Sequence, residues 1–377
     1  MLELNVMDED WPLLVSLLPK RWRELARETG ALKGLRKEKD EADYLRTLLL
    51  HLACGYSLRE TAVRAREADL AVLSDVAILK RLRKSKGWLH ALCRDLLAEQ
   101  ASEGQAAPPQ TLRLVDATMV QEPGPTGSAW RLHYSLRWPQ LTCDHFALSP
   151  QRGLGTGESL KHFCVSAGDH LVADRAYSHY PSLAHVARHG AKATVRFNPK
   201  AIRLLDPEGQ IFPLAARLRR LKKTNQVTCW DVQVTGASGQ SPIVGRLCVV
   251  RKSQTAIARA QAKVKRTASR NGTNLQEATL FYAQYVMVFT TAAEFPPQAI
   301  LELYRLRWQI ELVFKRFKQL AQLGHLPKED PESSQAWLYG KLFVALLAER
   351  LTRQAESLSP WGYDVAQTPE PKSLAGI

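Results

Sequence analysis

The sequence has no CxxC pair. Its six cysteines (54, 93, 143, 164, 229 and 248) lie at least 19 residues apart, a spacing that supports neither a zinc site nor a disulfide framework. They read as small core residues of a reducing compartment. No apolar run approaches the roughly 18 residues needed to span a bilayer. The first residues, MLELNVMDEDW, are acidic where a secretion signal would be basic, so an intracellular, soluble protein is expected. There is no lipid-binding amphipathic helix or lipidation signal, which removes the membrane as a partner. No serine sits in GxSxG, and the ten histidines are scattered, leaving nucleophilic hydrolase chemistry without support. GLGTGES (153–159) lacks the Lys-Ser/Thr of a phosphate-binding loop and reads as an ordinary loop. No internal repeat is found.

Acidic residues are also scarce. Against 37 Asp and Glu stand 52 Lys and Arg, a net charge of +15. The excess is concentrated: residues 196–270 hold 16 Lys/Arg against Asp206, Glu208 and Asp231, so +13 comes from one fifth of the chain. A surface of that kind is suited to nucleic acid, because counterion release from phosphates drives the association. At 377 residues, 45% of them hydrophobic, the chain can fill two or three domains with a large core.

Proline is missing from the long stretch 44–97, which shows helical periodicity almost throughout. Ser57-x-x-Glu60 has the form of a capping box, and the helix after it carries Lys80, Arg81, Arg83, Lys84 and Lys86. Residues 57–86 therefore suit either a helix-turn-helix reader or a plain bundle with a charged exterior. ASEGQAAPPQ (101–110) reads as a linker. Strand patterns follow in LRLVDATMV, WRLHYSLRW and CDHFALS, with turns such as EPGPTG between them. Then come a helix around 158–166, the strand HLVADRAY, a helix through HYPSLAHVARH and the strand KATVRF. That order predicts a mixed sheet covered by helices. QVTCWDVQV, GRLCVVRK and TLFYAQYVMVFTT add strand patterns in a basic, β-rich insertion. A helical segment WLYGKLFVALLAERLTRQ closes the chain before a loose tail. The expected domains are a helical one over 1–105, a first core part over 110–198, the insertion over 199–293, a helix completing the core over 294–325, and a C-terminal segment over 326–377.

YRLRWQIELVFKRFKQL (304–320) predicts a helix with two adjoining faces. Leu303, Leu306, Ile310, Val313, Phe314, Phe317 and Leu320 fall within about 120° of one another at 100° per residue, forming a stripe that docks on a core. Beside it lie Tyr304, Arg307, Glu311, Lys315 and Lys318, with Trp308 just beyond. The bland account of this face is i,i+4 ion pairing. The sharper one is a carboxylate among cations and aromatics facing a polyanion. Two more carboxylates interrupt apolar strands, Asp116 in LRLVDATMV and Asp174 in HLVADRAY. Each is costly there unless paired or bound to a metal. Singly, each reads as a strand-end cap or an arginine partner. Together with Glu311 they supply the three hard oxygen donors that Mg²⁺ accepts.

LVDATMV, LVADRAY and Tyr304-x2-Arg307-x3-Glu311-x6-Lys318 resemble the cut-and-paste DDE transposases of the insertion-sequence-four type. WRLHYSL, GESLKHF, the strand-rich insertion and the helical C-terminus are similar too, so the resemblance covers most of the chain. It implies a ribonuclease H-like α/β core and a metal site of Asp116, Asp174 and Glu311 holding Mg²⁺ or Mn²⁺. It also implies cleavage and strand transfer through a hairpin at the terminal inverted repeats, and joining to target DNA. Tyr304, Arg307, Lys315 and Lys318 would face the DNA, with Trp308 near a displaced base. Trp230 and Tyr285 are further stacking candidates, although core packing is favoured over stacking for each of these two. For Arg175 and Tyr177, phosphate contact and packing are equally open. Arg217, Arg219, Arg220, Lys222, Lys223, Lys263, Lys265 and Arg266 would form the electrostatic track. The implied setting is the bacterial cytoplasm at the nucleoid, as a homodimer in the synaptic complex. The rivals are a metal-dependent nuclease without strand transfer and a catalytically silent DNA-binding descendant.

Overall fold

A computed structural model describes residues 11–34, 40–103, 111–121, 129–236, 240–319, 321–323, 326–327 and 330–357. The expected tail, Leu320, most of the linker and the EPGPTG turn lie outside them. Six helices open the chain: α1 (Trp11–Leu17), α2 (Trp22–Glu28), α3 (Glu41–Leu52), α4 (Leu58–Glu67), α5 (Asp75–Lys84) and α6 (Lys86–Glu103). Their starts are capped as short polar side chains dictate. Asp40 accepts from Ala42 N and Asp43 N, Ser57 from Glu60 N, and Ser74 from Ala77 N. Of the capping box only the serine arm is used, since the Glu60 carboxylate takes Arg64 Nε at 2.8 Å instead.

Nine strands then form one sheet: β1 (Thr111–Gln121), β2 (Ala129–Trp138), β3 (Thr142–Pro150), β4 (Asp169–Ala173), β5 (Lys192–Arg196), β6 (Arg203–Leu205), β7 (Val227–Thr235), β8 (Ile243–Arg251) and β9 (Tyr285–Thr290). Their order is β3-β2-β1-β4-β5-β9-β8-β7-β6. The β1–β2–β3 meander is antiparallel, whereas β1, β4 and β5 run parallel. α7 (Tyr180–Arg188) connects β4 to β5. The strands of the basic insertion extend this sheet, β9 pairing antiparallel with β5. After β9 come α11 (Pro297–Leu306), α12 (Trp308–Gln319) and α13 (Pro331–Ser357); α8 (Leu214–Arg219), α9 (Gln254–Arg270) and α10 (Glu277–Tyr282) lie within the insertion.

Three expectations change. The helix around 158–166 is a single 3-10 turn, Leu160–His162, because Phe163 is extended and the Leu160 amide is drawn to Ser182 Oγ at 2.8 Å. TLFYAQYVMVFTT divides into α10 and β9 rather than forming one strand. The insertion is not simply β-rich, since α9 runs for 17 residues from a Ser253 cap and buries only Ile257. The cysteines also split. Cys93, Cys143 and Cys248 are buried and Cys229 half-buried, but Cys54 and Cys164 are exposed and are not core residues.

One apolar core joins the two ends of the chain. Trp22, Leu45, Trp88 and Leu92 from the N-terminal helices meet Leu114, Leu132 and Tyr134 of the sheet, Ile310, Phe314 and Phe317 of α12, and Trp337 and Phe343 of α13. Close approach of α13 to α3 needs a glycine, as a Cβ on Gly340 would fall 2.5 Å from Leu52 Cδ1. The opposite face carries a second core of Leu171, Val195, Leu247 and Phe289. Beneath the sheet's parallel part, Arg113 ties three strands together. It pairs with Asp144 at 2.9 Å and Asp169 at 3.0 Å, and donates to Cys164 O.

Glu349 of α13 enters the first core, where Tyr134 Oη donates to it at 3.3 Å. Burial pushes its carboxyl up to about 7, with Tyr134 and Arg353 opposing. The folded protein therefore holds a proton that the unfolded chain releases near the ordinary 4.5. Stability from this group is fully present below pH 4.5 and is lost as pH rises through about 7. The expected loss is on the order of 3 kcal/mol. Thermal melts of Glu349→Gln against wild type at pH 5 and pH 8 check this: the variant should gain relative stability at pH 8. An equal difference at both pH values would rule out the titration.

Candidate active site

β1 and β4 are parallel neighbours with Leu114 opposite Val172. Continuing that register by two residues brings Asp116, midway along β1, alongside Asp174, the residue just after β4. Side chains alternate along β1, so Asp116 faces the side of Leu114 and Val120, on which α12 packs. Its partner across β2 is Tyr134, which touches Phe314 and Phe317 of α12. The buried stripe of Ile310, Val313, Phe314 and Phe317 is the predicted one. It leaves Glu311 beside Arg307, which also pairs with Asp116.

The helix itself departs from expectation. It breaks at Arg307 into α11 and α12, with i+3 bonds from Arg307 N to Tyr304 O and from Ile310 N to Arg307 O. The tightened turn carries the guanidinium between two carboxylates. Nη1 lies 3.2 Å from Asp116 Oδ2 and Nη2 2.5 Å from Glu311 Oε1. The Arg307 and Asp116 side chains are only 15% and 16% exposed. Although burial opposes its charge, Tyr304, Glu311 and Asp116 hold the guanidinium above its ordinary value.

Asp116 is crowded by like charge. Burial pushes its carboxyl up to about 7; the Ala117 amide and Arg307 oppose this, while Asp174 and Glu158 add to it. Asp174 Oδ1 accepts from Ala176 N at 2.6 Å, so it also caps the 3-10 turn Arg175–Tyr177. The bland readings of both aspartates thus hold locally, yet the sheet brings the two together.

Among the described residues, no three His, Cys, Asp or Glu side chains stand close enough to share one ion. The donor chemistry nevertheless fits Mg²⁺, which uses one or two carboxylates and leaves its other positions to water and phosphate. Asp116 and Asp174 could hold such an ion. Glu311 is turned to Arg307, which stands where a cation between Asp116 and Glu311 would be.

Around this centre the other predicted residues are dispersed. Tyr304 is half-buried with Arg307 over its ring at 5.8 Å. Trp308, placed by the sequence just beyond the polar face, is 57% exposed. It lines a groove of about 630 Å³ with Arg196, Asn225, Tyr304, Arg305 and Arg307. Lys315, Lys318, Lys222 and Lys223 are exposed, as are Arg217, Arg219, Arg220, Lys263, Lys265 and Arg266. Arg175 is exposed and reaches Asn198 at 3.3 Å, whereas Tyr177 is buried. Trp230 is half-buried and packs on Phe212, and Tyr285 is buried with its hydroxyl donating to Leu218 O. On α5, Arg81 donates to Gly34 O, Arg83 pairs with Asp330 and Lys84 donates to Lys33 O. Much of that basic face therefore serves the fold, and Lys80 is left exposed. A further carboxylate, Glu158 of GESLKHF in the loop before β4, adds like charge to that acting on Asp116.

A sequence profile of the transposase DDE domain matches residues 155–347, a span that includes Asp174 and Glu311. The transposase for insertion sequence element IS421 of Escherichia coli is 31% identical over 95% of this chain and 98% of its own length. The transposase for IS231C of Bacillus thuringiensis is 25% identical, over 92% of this chain and 79% of its own. No described helix is long and apolar enough to cross a membrane. The chain belongs to the DDE transposases of the insertion-sequence-four family.

Proposed function

We propose that the chain carries out cut-and-paste transposition, with Asp116, Asp174 and Glu311 holding divalent cations, Mg²⁺ or Mn²⁺, at the ends of its element. One observation carries this: two carboxylates lie side by side in register on adjacent parallel strands, and α12 brings a third that shares Arg307 with Asp116. The cations would activate a water or 3′-hydroxyl on one side of a phosphorus and stabilise the leaving oxygen on the other. Arg307, Lys315 and Lys318 grip terminal phosphates, and a phosphate offers the Arg307 guanidinium an anion other than Asp116 and Glu311. Trp308, at the mouth of its groove, stacks on a displaced base. The order β3-β2-β1-β4-β5 supports a ribonuclease H-like core.

The test is cleavage of a labelled duplex carrying the element's own ends, with and without Mg²⁺. Nicked and hairpin products that need the metal support the proposal. Two ends of different length held in one complex support synapsis by a homodimer. The placement of Arg307 between Asp116 and Glu311 is what a silent DNA-binding descendant would also show. Binding without cutting under varied metal and salt would favour that reading.

DNA contact divides between two surfaces in this proposal. The shared core means that removing residues 1–103 would strip apolar partners from α12 and α13, so point changes are the better probe. Lys80→Glu with Arg59→Glu on α4 and α5 should lower the preference for terminal repeats over random DNA. Lys222→Glu, Lys263→Glu and Arg266→Glu should instead weaken all DNA alike and reduce the salt slope by about 0.9 per lost phosphate contact. Titrations at several salt concentrations read both, and an unchanged slope in the second set would count against the basic track.

A further inference from the structure

Cys229 on β7 and Cys248 on β8 are 19 residues apart in the chain, and the fold brings them together. The two strands are consecutive and antiparallel, and Cys229 stands directly opposite Cys248 in their register. Opposed residues of such a pair have Cα atoms about 4.5–5.5 Å apart, inside the roughly 4.4–6.8 Å that a disulfide spans. Their sulfurs lie 3.4 Å apart as free thiols. Joining them therefore needs a side-chain adjustment and no shift of either strand.

The surroundings give the two thiols different roles. Cys229 is half-buried and Cys248 buried, so a small solute meets Cys229 first. Arg246 opposes Asp231 at the next position along the same face of the sheet. Its Nη1 donates to Ala293 O at 2.9 Å and to Phe295 O at 3.2 Å, which fixes a guanidinium beside the pair. Hydrogen bonding with Cys248 holds the Cys229 thiol below its ordinary value; burial opposes this and Arg246 adds to it. The thiolate is the nucleophilic form of cysteine. α11 covers the pair, its Ile300 and Leu301 packing in the same small core as both cysteines.

The geometry points to a modification site: Cys229 and Cys248 close to a disulfide when the protein meets a peroxide, stapling β7 to β8 beneath α11. With hydrogen peroxide, the Cys229 thiolate attacks one oxygen and breaks the O–O bond, leaving a sulfenic acid and hydroxide. The Cys248 sulfur then attacks the Cys229 sulfur, the S–O bond breaks, and the oxygen leaves as water. The two thiol protons end in the waters, so two thiols and one peroxide give one disulfide and two waters. Cys248 is thus the resolving thiol, and it stops Cys229 at the reversible stage of oxidation. Under reducing conditions both thiols stay free.

The experiment uses the full-length protein with Cys54→Ser and Cys164→Ser, which remove the exposed thiols. After treatment with hydrogen peroxide, remaining thiols are alkylated in denaturant and the peptides are mapped by mass. A cross-linked pair of peptides holding Cys229 and Cys248, lighter than its two parts by two hydrogens, is expected, and dithiothreitol should restore both thiols. Oxidation should raise the thermal midpoint by about 4 °C, because the cross-link constrains the unfolded chain. Cys248→Ser should instead leave a Cys229 sulfenic acid that dimedone traps. Should that variant not fold, the cross-link in its parent decides. Cys229 and Cys248 that both still alkylate after peroxide, or that cross-link only between chains, would overturn the proposal. A cross-link that lowers the midpoint would overturn it as a staple.

Discussion

Asp116→Asn, Asp174→Asn and Glu311→Gln should each cut the element's ends at least about 10³-fold more slowly than wild type while binding them with similar affinity. The size follows from the chemistry proposed, in which the cations held by these side chains supply the nucleophile and the charge stabilisation together. The three should differ in their effect on the fold. Glu311 is exposed and its carboxylate is paired with Arg307, so its replacement should leave the thermal midpoint where it is. Asp116 is the group whose burial disfavours its charge, and an amide at that place removes like-charge crowding at the expense of one bond to Arg307. Its variant should melt no lower than wild type, and DNA affinity should hold because a negative charge beside the phosphates is gone. Cleavage rates, gel shifts and melts on the same preparations decide. A triad variant that keeps more than about a tenth of wild-type cleavage would remove that residue from the metal site.

Arg307 carries the second large effect, with opposite signs in two measurements. Its guanidinium neutralises Asp116 and Glu311 in the DNA-free protein. Replacement by alanine should therefore tighten Mn²⁺ binding several-fold in the absence of DNA, since a competing cation has been removed. The same change should slow end cleavage about 10²-fold, because the phosphate grip goes with it. Arg307→Lys separates charge from shape: one ammonium cannot bridge two carboxylates as a planar fork does. It should fall between wild type and alanine in both. Weaker Mn²⁺ binding by Arg307→Ala would mean that the arginine supports the carboxylates rather than standing in for a cation.

The carboxylates and the tetrad were legible because each sits in a segment whose period is unmistakable, two in apolar strands and one on an amphipathic helix. What the helix does at Arg307 was not legible. Nothing in RLRWQ announces a tightened turn, and the break comes from docking α11 and α12 on different parts of the sheet. Exposure of Trp308 follows from the same break. α9 was missed although Ser253 caps it and its Ala, Lys, Arg and Gln are good helix formers; its single buried residue leaves almost no apolar period to detect. The pairing of Glu158 with Arg131 arises only through the fold, by a loop and a strand that meet 27 residues apart in sequence.

The central claim is that Asp116, Asp174 and Glu311 hold catalytic cations, and a thiol at one of those positions tests it most directly. Asp174→Cys exchanges a hard oxygen for a soft sulfur, which Mg²⁺ accepts poorly and Mn²⁺ better. Cleavage of the element's ends by this variant should be nearly absent in Mg²⁺ and recover at least tenfold in Mn²⁺, beyond any change seen with wild type. Rates that are the same in the two metals, with DNA binding intact, would contradict the account.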